Sequence, residues 1–159
     1  MSKCEVLIEG DVPARLNPGK RRLKAAAEYF AARSATRCGT VFRQVAVVLQ
    51  DDEASDEAHR AIMDVAGATD VITQRYDPMP GEPPGIYGEL YVNVERSVAA
   101  ASSRGGWNAE KELLLYVAHG MDHLSGEDDL DEAARMRMRR RELGWLKDFY
   151  AASAGGAEK

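Results

Sequence analysis

The stretch Ala109 to Leu124, AEKELLLYVAHGMDHL, is strongly apolar and reads as one helix. Asn108 can cap it, and Glu110 and Glu112 fall in its first turn, where carboxylates suit the helix dipole. The helix carries two histidines, His119 and His123, on an otherwise apolar segment.

Other elements follow from pattern. Cys4 to Ile8 reads as a first strand. Pro18 stands where a helix can begin, and Leu23 to Ala32 has helical spacing. Val41 to Leu49 is a β-branched, buried strand. Asp51 or Asp52 can cap an acidic helix that Gly67 ends. Thr69 to Thr73 is a strand, and Tyr76 to Gly88 is a loop with four of the six prolines. Leu90 to Val94 is a strand, Glu95 to Ser103 a helix, and Asp131 to Tyr150 a last helix. The order β-α-β-α-β-β-α-α-α predicts an α/β (α+β) layer protein. It has a mixed sheet of about four strands packed with about five helices. We expect one domain over residues 1–150 and a disordered tail over 151–159.

The chain has 159 residues, 45% of them hydrophobic and 30% charged, an ordinary globular mixture. No apolar run reaches the ~18 residues of a membrane span. The N-terminus shows no apolar h-region with a cleavage site. Cys4 and Cys38 form no C-x-x-C pair, so a reducing cytoplasmic setting is expected. A net charge of −5 argues against a general nucleic-acid binder, and no DNA or membrane partner is expected.

Chemistry concentrates in H-G-M-D-H-L-S-G-E-D-D, from His119 to Asp129. Histidines at i and i+4 share a helix face and can present two imidazoles to one point. Gly126 can take a positive φ and turn the chain, bringing Asp129 back as a third ligand. Glu127 and Asp128 are rival third ligands. The two histidines can also be buried and hydrogen-bonded without a metal, and Asp129 can instead cap the last helix, as can Asp131. Asp122 is either an acceptor that orients an imidazole or a solvated helix charge. Three protein ligands leave a position open for water, whose pKa a zinc ion lowers toward ~7. The residue after the first histidine is Gly120, where H-E-x-x-H proteases carry their glutamate base. A metalloprotease is therefore a minor alternative.

These residues resemble the YbeY family, whose C-terminal motif is H-G-x-x-H-L-x-G-x-D-H. Upstream, VAVVLQDDE resembles the family's strand that ends in an aspartate pair. Thr69-Asp70-Val71-Ile72-Thr73 and Gly88-Glu89-Leu90-Tyr91-Val92 also resemble family segments. The likeness spans about Val41 to Trp145. It implies a zinc-dependent endoribonuclease of ribosomal RNA maturation, with His119, His123 and Asp129 as ligands of one Zn²⁺ and the two histidines acting through the bound water. This chain has Asp129 where the family usually has histidine, and Thr73 and Gln74 where it has serine and phenylalanine. It has Met63 where the family has an arginine tied to catalysis; Arg60 is a candidate substitute. The resemblance makes ribosomal RNA or a ribosomal subunit the expected partner. Positive charge gathers at Arg15, Lys20, Arg21, Arg22 and Lys24, and again from Arg135 to Arg141. Arg137, Arg140 and Arg141 are the candidate RNA contacts. The alternative function is a ribosome-associated assembly factor with a structural metal and weak or lost nuclease activity.

Overall fold

Five consecutive residues of β-strand, Glu5–Glu9, open the fold as β1. The computed structural model describes residues 3–13, 16, 19–103 and 107–156; the side chains of 154–156 are outside the description. Pro18 and Arg15 lie outside the described residues. Helix α1 spans Lys20–Cys38 and ends at Gly39, whose left-handed backbone returns an N–H to the Ala35 carbonyl. It runs longer at both ends than the apolar pattern, because polar and basic residues extend it past the buried stripe.

Strand β2 is Phe42–Gln50 and helix α2 is Asp52–Met63. Asp51 caps α2 by accepting from the Ala54 N–H at 2.8 Å. The helix stops at Asp64, at φ 58°, three residues before Gly67. Aspartate tolerates this left-handed conformation better than most residues. Gly67 serves instead as a docking point: its N–H donates to Asp56 and its carbonyl accepts from His59 Nδ1.

Strands β3 (Val71–Tyr76) and β4 (Ile86–Asn93) form an antiparallel pair around the proline-rich loop. Both run further into that loop than their apolar cores indicate, because ladder pairing holds polar residues such as Gln74 and Glu89 in register. The sheet order is β1-β2-β4-β3, parallel from β1 to β4 with β3 reversed at the edge. This is the mixed four-stranded sheet that the element order predicts.

Helices α3 (Val94–Ser102), α4 (Ala109–Leu124) and α5 (Glu132–Gly156) complete the domain. The last helix continues through 151–156, where the sequence suggested a tail. Ala151, Ala152 and Ala154 are strong helix formers and sustain it. Asn108 caps α4 through the Lys111 N–H at 2.8 Å.

Helix α4 is the centre of the fold. It packs against α1, α3 and α5 and against strands β3 and β4. Eleven of its sixteen residues are buried, which explains why its sequence is apolar nearly all round. Its buried face shares one hydrophobic core with Val45, Val47, Leu90 and Val92 of the sheet. Two glycines set the approach. A β-carbon at Gly120 would stand 2.7 Å from Leu90 Cδ2, and one at Gly88 would stand 2.6 Å from Leu124 Cδ2. Both positions need the absence of a side chain for helix and strand to come this close.

Among the described residues, no helix is long and apolar enough to cross a membrane. Cys4 and Cys38 are both free thiols.

Candidate metal centre

The C-terminal turn of α4 places His119 and His123 on one face, with ring centroids 4.5 Å apart. Ser125 and Gly126 close the helix, and Gly126 takes φ 103°. The chain then doubles back and delivers Asp129. His119 Nε2 and His123 Nε2 are 3.1 Å apart, and Asp129 Oδ2 lies 3.8 and 3.7 Å from them. Asp131, not Asp129, caps α5 by accepting from the Ala134 N–H at 2.8 Å. Asp129 is thereby left to the cluster.

The outer nitrogens of both rings are occupied. His123 Nδ1 faces the Glu127 carbonyl at 2.9 Å. A carbonyl only accepts, so Nδ1 carries the proton and a neutral His123 turns a bare Nε2 lone pair inward. His119 Nδ1 lies 2.9 Å from Glu142 Oε2. Two Nε2 atoms and a carboxylate oxygen thus converge. A tetrahedral ion with ligand distances of ~2.0–2.2 Å spaces its ligands roughly 3.3–3.6 Å apart; the sides of this triangle, 3.1, 3.7 and 3.8 Å, each come within about 0.2 Å of that range. Histidine nitrogen and carboxylate oxygen are ordinary donors for a divalent metal. The group His119, His123 and Asp129 could therefore hold a metal ion.

The rival acids have other tasks. Glu127 is clamped by Arg37 Nη1 at 3.2 Å and Arg141 Nη2 at 3.0 Å. Asp128 is exposed in a neighbouring cleft. Asp122 is fully buried and bound by Arg141 through Nε and Nη2 at 3.1–3.3 Å. It neither orients an imidazole nor faces solvent; it anchors the arginine that holds the ligand loop. Charge pairing decides this, because a carboxylate without exposure needs a cation.

Glu142 was not singled out by its sequence pattern. It is 1% exposed, on the same stripe of α5 as Met138, Trp145 and Phe149. An acid at a core position of an amphipathic helix is the signal that could have found it. Burial pushes its carboxyl up to about 7, against the opposing pull of His119. Burial likewise works to discharge His119, but the hydrogen bond and charge of Glu142, with the charges of Asp70 and Asp129, outweigh it. His119 therefore holds its proton to higher pH than an ordinary histidine.

Two clefts meet at the triad. One, of about 410 Å³, is lined by Asp70, Tyr116, His119, Asp129, Glu132, Arg135, Met136, Arg139 and Glu142 among others. The other, of about 460 Å³, is lined by His59, Met63, Val71, Ile72, Thr73, Arg75, His123, Asp128 and Asp129.

Helical phase selects which cations reach them. Arg135 and Arg139, at i and i+4 on α5, line the first cleft; Arg137 and Arg140 are exposed and line neither. Arg141 is held by Asp122 and Glu127. Arg60 is also not brought in. His59 and Met63 share the face of α2 that lines the second cleft, and Arg60 points a third of a turn away to pair with Asp56 at 3.0 Å.

Fold and site together define an α/β protein with a helix-borne group of two histidines and one carboxylate that could hold a metal ion. The model of the family described as Endoribonuclease YbeY matches residues 16–150, and the chain belongs to that family. A Micrococcus luteus protein named Endoribonuclease YbeY is 36% identical over 60% of this chain and 63% of its own length. A Rhodopirellula baltica protein of the same name is 36% identical over 65% of this chain and 52% of its own. One from Renibacterium salmoninarum is 35% identical over 70% and 74%. The match to the first two thus spans less than two thirds of their length. A Thermotoga maritima protein solved in solution shares the fold, with a TM-score of 0.60 and 23% identity over 94% of this chain and 92% of that one.

Proposed function

We propose that this chain is a zinc-dependent endoribonuclease that acts on single-stranded segments of precursor ribosomal RNA during ribosome biogenesis in the cytoplasm. One observation carries the reading: two histidine Nε2 atoms and Asp129 Oδ2 converge where two clefts meet, and each cleft has an arginine in its wall. The names of the relatives support it.

His119 and His123 would hold the ion through Nε2, and Asp129 would hold it through a carboxylate oxygen. Such an ion would supply Lewis acidity and a water nucleophile at neutral pH. Glu142 orients His119 through Nδ1, and the Glu127 carbonyl does the same for His123. Arg135 and Arg139 hold strand phosphates, a role their forked donors suit. Asp70 and Glu132 offer acceptors to the 2′-hydroxyl and base N–H groups of the strand. Gly120 packs on Leu90 and leaves no protease-type base.

The test is metal content and cleavage of single-stranded ribosomal RNA, with and without His119→Ala. Metal-free native protein, or cleavage untouched by the substitution, would end this reading.

A second reading is an assembly factor whose metal is structural. Met63 favours it, exposed at the position where the resemblance calls for an arginine. A large gain in cleavage by Met63→Arg would support that reading, and robust native activity would exclude it.

A further inference from the structure

The second cleft lacks the arginine that α2 would supply, yet it is not without a cation. We infer that Arg75, on edge strand β3, is the phosphate-holding residue of this cleft, and that the ligand is the backbone of a single-stranded RNA. The inference rests on the RNA-cleaving reading above.

Arg75 and Thr73 are two residues apart on β3 and so share a face of the strand. Both line the cleft that contains His123, Asp128 and Asp129. Arg75 Nη1 donates to the Leu124 carbonyl at 3.0 Å, in the last turn of the helix that carries the histidines. This contact fixes the guanidinium beside the metal centre and leaves its remaining donors free to bind a ligand. No carboxylate among the described residues lies within ion-pair distance of Arg75, although the residue is exposed. A cation pinned by a backbone carbonyl but not neutralised is prepared to take an anion. Arg141 shows the contrast: two carboxylates neutralise its charge.

His59 shapes the cleft beside it. It lines the same cleft, and its Nδ1 donates to the Gly67 carbonyl at 2.8 Å, which fixes the ring there. Met63, one helical turn further on, contributes no charge. Asp128 and Asp129 on the same wall disfavour an anion, which makes Arg75 the residue that decides whether a phosphate can stay.

The experiment measures binding, not cleavage. Metal-free protein is titrated into a fluorescent single-stranded oligoribonucleotide at several salt concentrations. Arg75→Gln should weaken binding about tenfold and reduce the slope of log affinity against log salt by about 0.7, as for one lost single-strand phosphate contact. Arg60→Gln should change neither quantity. Met63→Arg in the Arg75→Gln background should restore affinity, a recovery that a merely misfolded variant would not show. Unchanged affinity and slope in Arg75→Gln overturns the inference, as does failure of Met63→Arg to restore what was lost. The RNA-cleaving reading stands or falls separately: native metal-loaded protein that binds the strand without cutting it defeats that reading and leaves Arg75 in place. Native protein that binds no strand defeats both.

Discussion

Glu142 Oε2 lies 2.9 Å from Nδ1 of His119, joining the core stripe of α5 to a metal-ligand candidate on α4. The carboxylate fixes which ring nitrogen faces the metal position. Glu142→Gln should lower zinc affinity by about 10–100-fold, the usual cost of losing such a partner. Competition titration against a chromophoric chelator measures it, and an unchanged constant would remove Glu142 from the site.

The same pair gives the metal-free protein a pH dependence. Glu142 is raised from 4.5 to about 7, and His119 is raised from 6.5. In both cases the folded state keeps a proton that the unfolded chain releases. Their contribution to stability is therefore complete below about pH 4.5 and declines as pH rises, through about 7 for Glu142 and beyond 6.5 for His119. The melting temperature of metal-free protein should fall across this range, and Glu142→Gln should flatten the slope. Zinc binding should show the opposite trend and strengthen with pH, because the ion competes with the proton on Nε2.

Arg141→Met should destabilise the protein by about 3 kcal/mol, because it strands the buried carboxylate of Asp122. Arg37, 3.8 Å from Asp122, keeps an ion pair without a hydrogen bond and offsets only part of the loss. Urea denaturation reads the loss. In the double variant with Asp122→Asn, much of it should return, since the uncompensated charge has gone.

Gly120→Ala should cost about 1–3 kcal/mol, although alanine is the better helix former. Leu90 is fully buried and cannot swing clear of the new methyl group. Pairing the change with Leu90→Ala should give less than the sum of the two single losses. Simple additivity in that cycle would show that the contact is not the cause.

The sequence made much of this visible. Asn108 as a cap, the paired histidines, Gly126 as the turn and the strand–helix order all rest on local rules, and local rules are legible in a single chain. What escaped was decided by tertiary phase and pairing. Whether Arg60 or His59 reaches a cleft depends on which face of α2 meets the sheet. Asp122 reads as a surface charge until Arg141, 19 residues later, comes across to meet it. Arg75 gave no signal, since an isolated arginine near the end of a strand becomes notable only when the helix end beside it is in view.

His119, His123 and Asp129 fall within eleven consecutive residues. Binding an ion there closes only a short loop, so little chain entropy is lost in the capture. The three donors would act as a chelate whose arms the protein has already positioned. The two arms on α4 depend on one helical turn, and the third depends on Gly126. The cleft wall behind them is different in kind, since His59 and Arg75 arrive only after distant segments have closed into the sheet. Metal capture should therefore be an early and local event in folding, and assembly of a complete strand-binding groove a late and cooperative one.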